Sequence, residues 1–269
     1  METPSFELID DTVDTDEHFR RLRKFTSSMS IDAAIATADE WLTSDDVRLT
    51  AAGLDLLAIL PSKPEVSASL LRHAQRLEVR LSSLPEDVRW ALAHALLLHP
   101  ETQATSALVE LAKDPDADVR NLVAQALPVN HPATSAEIAS LMQLAEDEDP
   151  DVRDWAMHDL ANEDTLPFEA IEVLRKHIAD PNPEASAEAI YGLARRADPL
   201  VLPYLLDRLS DAFVPYIFVD AAAEFASPAL TEALLRLWQS NWGHETQDWT
   251  VLRTALRASG YKGELVEPA

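Results

Sequence analysis

Residues 149–164 read DPDVRDWAMHDLANED, and two helical turns of that stretch hold Arg153, Asp154, Trp155, His158 and Asp159. Carboxylate, imidazole and a large aromatic on one short helix are the ingredients of a small acid–base site, in which a positioned His and Asp move a proton. Residues four apart share a helix side, so Asp154 and His158 would face the same way. The question is whether this is chemistry or one copy of something the chain repeats. No HExxH, GxSxG or GxGxxG pattern accompanies these residues, and only 5 glycines are available for a phosphate-cradling loop.

The elements that must position these residues recur. Aligned on Val-Arg, the chain gives DDVRLTAAGLDLL from Asp45, EDVRWALAHALLL from Glu86, ADVRNLVAQALPV from Ala117, PDVRDWAMHDLAN from Pro150 and PEASAEAIYGLAR from Pro183, where the pair has become Ala185-Ser186. Two weaker copies follow at 219–228 and 250–260. A period near 32 residues marks a repeat array (estimated from those spacings). Each period predicts two helices, and the Val-Arg motif opens the second. The first helices are expected at 30–42, 64–77, 102–112, 134–145, 167–178, 199–209 and 228–238, with apolar residues recurring at three and four. Pro100, Pro132, Pro167, Pro199 and Pro228 punctuate their starts, where a missing N–H costs little. The Asp-rich turns KDPDAD (113–118), EDEDPD (146–151) and DPNPE (180–184) supply caps for the second helices.

The acidic turn, the Val-Arg pair and the small residues and Leu at fixed offsets resemble the HEAT-repeat superfamily. Copies three to five are most similar to the short bacterial HEAT-like type also seen in phycobilisome lyases. The resemblance covers roughly residues 30–260 and speaks to fold far more than to function, because the motif residues are scaffold. It implies an all-α, right-handed α-solenoid of about seven helix pairs, with the second helices lining the concave surface. It also implies an Asp–Arg ladder between repeats, at Asp118 with Arg120 and Asp151 with Arg153, in doubt from copy five onward. The expected organisation is an acidic, flexible segment over 1–19, the solenoid over 20–260 and a tail over 261–269.

The opening stretch is therefore mostly a copy. Val152, Ala156 and Leu160 hold core offsets that recur as Val119, Val123 and Leu127. Numbered from its Val, the second helix keeps apolar or small residues at offsets 0, 4, 7 and 8 in most copies, but not at 2 and 6. Those two offsets set Trp90, His94, Asn121, Gln125, Asp154, His158 and Tyr191 along one inner stripe, a composition suited to binding. The same positions would also suit a plain solvent-facing polar side. Trp155, at offset 3, is expected to wedge between repeats. At about 10 Å per stacked pair, His94 and His158 would be about 20 Å apart, too far for one metal or one proton relay. No catalytic residue, metal site or cofactor is expected. One enzyme reading comes from resemblance. HEAT-like alkylpurine DNA glycosylases carry a Trp and, four residues on, an Asp, a spacing met by Trp155 and Asp159. It conflicts with the charge, since such an enzyme needs a basic channel. A bilin lyase role has no identifiable chromophore site.

That charge is set by 22 basic and 47 acidic residues, a net −25, which repels nucleic acid and anionic lipid and suits a basic protein partner. It also serves solubility. There is no Cys, no apolar run near 18 residues and no basic-apolar leader, so a cytoplasmic, non-membrane protein is expected. At the ends, HFRRLRKF (18–25) could cap the first repeat or pair with the acidic leader, and Trp238, Trp242 and Trp249 could cap the last. The apolar stretch 212–225 reads as a buried second helix started by Pro215. The functional expectation is a non-catalytic scaffold or adaptor that binds protein, in one version an inhibitor or immunity-type protein covering a basic enzyme.

Replacing Leu160 or Leu127 with Ala should cost about 2–5 kcal/mol, the usual range for a buried Leu. His158→Ala should leave the thermal midpoint nearly unchanged. A melting shift for His158→Ala as large as that of Leu160→Ala would mean that the helix faces are assigned wrongly.

Overall fold

Each Asp-rich turn is built by two acceptors with separate tasks. In the computed structural model, which describes residues 15–240, 242 and 249–265, the Asp114 carboxylate accepts the N–H of Asp116, and Asp116 in turn accepts the N–H of Val119 as helix cap. One period later Asp147 accepts the N–H of Asp149, which caps Asp151 and Val152. Then Asp180 accepts the N–H of Asn182, which caps Glu184 and Ala185. Short polar side chains at these positions both fold the turn and satisfy helix N–H groups that have no intrahelical partner.

Fifteen α-helices follow among the described residues, and no strand occurs among them. Helix α1 (Thr15–Thr26) precedes seven pairs. The first helices are α2 (Ile31–Leu42), α4 (Pro64–Glu78), α6 (Thr105–Leu111), α8 (Ser135–Leu144), α10 (Phe168–His177), α12 (Val201–Arg208) and α14 (Thr231–Gln239). The second helices are α3 (Val47–Ala58), α5 (Glu86–Leu98), α7 (Ala117–Ala126), α9 (Pro150–Asn162), α11 (Pro183–Arg195), α13 (Tyr216–Phe225) and α15 (Thr250–Ala258). No helix of the described residues is long and apolar enough to cross a membrane. The chain divides into two compact units, one ending at Leu144 and one starting at Ala145, so the division falls inside the fourth helix pair.

Within each unit the second helices pack most closely on one another, α3 on α5 on α7 in the first and α9 on α11 on α13 on α15 in the second. The repeated offsets make this possible. Val88, Val119, Val152, Ala185, Val123, Ala156, Leu92 and Leu160 are all fully buried. At Gly192 a methyl group would stand 2.8 Å from the Cα of Ala161, so α9 and α11 approach there as closely as backbones allow. Val47, at the same offset in the first copy, is 39% exposed, because no earlier pair covers it.

The ladder between repeats runs through different aspartates than expected. Asp118 and Asp151 are exposed in the first turns of their helices. The rung is made by the first Asp of the next turn. Arg153 forks onto Asp180, with Nε 3.1 Å from Oδ2 and Nη2 2.9 Å from Oδ1, and its Nη1 donates to the carbonyls of Asp147 and Glu148. Arg89 forks onto Asp114 in the same way. One arginine thus closes its own turn and grips the following one, with the planar fork matching the carboxylate. Where copy five lacks the Arg, the hydroxyl of Ser186 donates to the carbonyl of Ile178, and Arg175 from the first helix α10 grips Asp198.

Both ends are covered by aromatic side chains. Phe19 and Leu22 of α1 are buried, and Phe25 stacks on Trp41 at 5.7 Å. At the other end Trp238 and Trp249 pack with ring centres 5.2 Å apart, while the Trp242 N–H donates to Val214. The expected acidic leader over 1–19 lies, for residues 1–14, outside the described residues, as does 266–269 of the expected tail. In the stretch 212–225, Pro215 does start α13, but Phe213 is 81% exposed instead of buried.

Burial would push the Asp180 carboxyl up, yet hydrogen bonds from Arg153, His177 and the Asn182 N–H overcome it and hold it down at about 2. A carboxylate depressed below its unfolded value of 3.8 stabilises the fold above that pH and loses its contribution as pH falls through about 2. Asp180→Asn should therefore cost on the order of 2 kcal/mol at neutral pH, with the gap to wild type closing between pH 4 and pH 2 (estimated from that same linkage). Denaturant unfolding across that range is the measurement, and a gap independent of pH would contradict the ladder's role.

Candidate functional site

The offsets that interrupt the apolar pattern behave differently in the two units. In the first, Trp90 and His94 of α5 stack on each other with ring centres 4.8 Å apart. The Phe19 ring of α1 lies 5.2 Å from that of His94. Helix α1 is fixed there by His18, whose Nε2 is 2.9 Å from Oδ2 of Asp55 on α3. Burial pushes the His94 imidazole below its ordinary pKa, against the pull of Asp55. Its Nδ1, like Oδ1 of Asp55, is a buried atom without a hydrogen-bond partner. On α7 the Gln125 amide donates to the side chain of Asn121, so this pair satisfies itself. In the first unit, then, α1 packs Phe19 against His94, and the Asn121–Gln125 half is internally bonded.

In the second unit Asp154 is half-buried on α9, Tyr191 half-buried on α11, and the His158 side chain 48% exposed. Nothing in that unit corresponds to α1. His158 Nδ1 lies 3.1 Å from Oε1 of Glu188, which ties offset 6 of α9 to offset 3 of α11. That hydrogen bond, aided by the charges of Glu188, Asp159 and Asp154, raises the His158 pKa against the effect of burial. Asp154 is driven up to about 6 by burial and by the charges of Glu188 and Glu184. Asp159 is driven up to about 7, first by burial and then by Glu163 and Glu188, with His158 opposing. Asp159 occupies offset 7, where the second helices α5, α7 and α11 carry Ala95, Ala126 and Gly192. Trp155 does not wedge between repeats. It is 40% exposed and meets His158 edge to face at 6.1 Å.

The face continues into a pocket of about 440 Å³ formed by α9, α11, the segment after α12 and α13. Asp154, Glu184, Glu188 and Asp211 line it together with Ala187, Phe213, Pro215, Ile217 and Phe218. Sequence reasoning missed Glu188 and Phe213. Glu188 falls one period less three residues after His158, a register in which successive second helices touch, and it could have been found by pairing offset 6 of one copy with offset 3 of the next. Phe213 gave no signal, because an apolar residue before a helix usually packs inward. Among the described residues no group of three or more acidic or His side chains is arranged to hold a metal ion.

The sequence pattern of HEAT repeats matches residues 74–161 and 138–218. The crystal structure of the Escherichia coli protein YibA superposes with a TM-score of 0.72, at 19% identity, over 97% of this chain and 93% of that one. An engineered protein superposes with a TM-score of 0.51, at 18% identity, over 94% of this chain and 87% of that one. Likeness at such identity concerns the fold alone. No curated protein sequence matches this chain.

A carboxyl whose folded pKa is raised penalises the fold once pH rises above its unfolded value, so wild-type stability should fall between pH 4 and pH 8 as Asp154 and Asp159 ionise (window from their values of about 6 and 7). Asp159→Ala removes a charge from a position that elsewhere holds Ala or Gly. It should raise the melting temperature at pH 8, with a smaller gain at pH 4. A gain that is absent or larger at pH 4 would show that Asp159 ionises without penalty.

Proposed function

Because the chain belongs to the HEAT-repeat family, whose pattern spans more than half of it, we propose that it is a non-catalytic scaffold or adaptor that binds a basic protein partner. The binding surface in this reading is the second-helix face of the second unit, where Asp154, His158 and Tyr191 stand with Glu188. The observation that carries it is the acidity of that face, which the single His158–Glu188 pair offsets only in part. Burial raises the Asp154 carboxyl to about 6, reinforced by Glu188 and Glu184, and the Asp159 carboxyl to about 7, reinforced by Glu163 and Glu188, and among the described residues no arginine or lysine is forked onto either. A partner cation would relieve that repulsion, which is how electrostatic complementarity selects partners and speeds association. The aromatic rings of Tyr191 and Trp155 add flat contact area of the kind that anchors interfaces. An inhibitor or immunity-type role, covering a basic enzyme, is the concrete form of this reading. Trp90 and His94, stacked on each other with His94 against Phe19, stand outside that surface.

The acidity also weighs against the glycosylase resemblance of Trp155 and Asp159. The carboxylates of Glu184, Glu188 and Asp154 surround that helix and would repel a phosphate backbone.

Affinity capture from native lysate should retain basic proteins on the wild-type chain. A variant carrying Asp154→Asn and Tyr191→Ala, shown to be folded by a cooperative melt, should lose them. Equal capture by both proteins, or partners that are consistently acidic, would refute the proposal.

A further inference from the structure

The pocket beside the stripe has a chemistry more specific than acidity. Its wall is apolar: Ala187 from α11, Ile217 and Phe218 from α13, Pro215, and Phe213, whose ring is 81% exposed. Its rim carries four carboxylates against one cation: Asp154 from α9, Glu184 and Glu188 from α11, and Asp211, with Arg208 of α12 beside Asp211. A volume of about 440 Å³ lies within the range of small-ligand sites. An exposed Phe beside a ring of carboxylates is costly for a chain with no use for it, and it fits a group that is apolar along its stem, flat and cationic at its head.

We propose that this pocket takes the guanidinium of an arginine side chain presented by the basic partner, with the stem against Phe213 and Ile217 and the head between Asp154 and Glu188. The assignment rests on the protein-binding reading above and adds the anchoring residue to it. The unit already shows this chemistry once. Arg208, on the same pocket wall, holds its guanidinium 5.8 Å from the centre of the Phe218 ring and 3.9 Å from Asp211. Arginine is favoured over lysine because its planar head stacks on aromatic faces, bonds two carboxylates at once and is more weakly hydrated. His158 bonds Glu188 on the side facing α9, so a protonated His158 competes with the incoming cation for that carboxylate. The other charged groups facing the pocket are Glu184, Asp211 and Arg208, with Asp159 behind His158 and Asp220 and Glu224 on α13.

The test is fluorescence anisotropy with a labelled Gly/Ser peptide containing three arginines, compared with its lysine and citrulline counterparts, on the full chain at physiological salt. The arginine peptide should bind most tightly, and Asp154→Asn with Glu188→Gln should weaken it roughly tenfold, the scale of losing a charge-assisted contact. A control with Glu148→Gln and Glu169→Gln, two exposed carboxylates outside the pocket, removes the same charge and should have little effect. Phe213→Ala, which changes no charge, should weaken binding too. Equal weakening by the two charge variants, no effect of Phe213→Ala, or a lysine peptide binding as tightly as the arginine one would overturn the pocket assignment while leaving a basic partner possible elsewhere on the face. No binding of any cationic peptide would overturn both readings.

Discussion

Close approach of successive second helices is the constraint on which the structure depends. Backbones separated by no more than a methyl group, as at Gly192 against Ala161, admit only small or branched residues at the facing offsets. That requirement, renewed at successive repeats within each unit, is why the pattern of Val, Ala and Leu recurs at fixed offsets. Within each unit a repeat buries its neighbour's face, so stability accumulates along that stretch of the array. The helix caps and the Arg–Asp forks set the register in which those faces meet.

The carboxylates divide into two populations with opposite energetics. Those in the turns are engaged. Asp180 receives Arg153, His177 and a backbone N–H, which hold its carboxyl down at about 2. Those on the second-helix face of the later unit are part-buried among other carboxylates and, among the described residues, receive no guanidinium, so burial first and neighbouring charge second raise Asp154 to about 6 and Asp159 to about 7. The first group stabilises the fold as it stands. The second lowers stability at neutral pH and gains only when a cation arrives. Proteins commonly accept such local strain where they bind something.

The helix pairs were legible in the sequence almost to their ends, because apolar periodicity, proline starts and Asp caps agree with one another. Six of the seven second helices begin where Asp46, Asp116, Asp149 and Asn182, or Pro85 and Pro215, place them. The direction of the ladder was not legible. DPDADVR offers several aspartates, and only the three-dimensional turn decides that Asp114 faces the preceding Arg89 while Asp118 faces solvent. The stripe could be assembled by counting, but not its fate. That Phe19 sits on His94 depends on the docking of α1, which no periodicity encodes. The exposure of Phe213 and Trp155 was likewise hidden, since hydrophobicity alone predicts burial.

The claim that matters most is that the partner sits on the second-helix face of the later unit. Hydrogen–deuterium exchange of the chain with and without its captured partner reads this directly. Protection concentrated in α9, α11 and α13, with α10, α12 and α14 unchanged, is the expected result. Protection confined to those first helices, or to the residues before Ala145, would contradict the account.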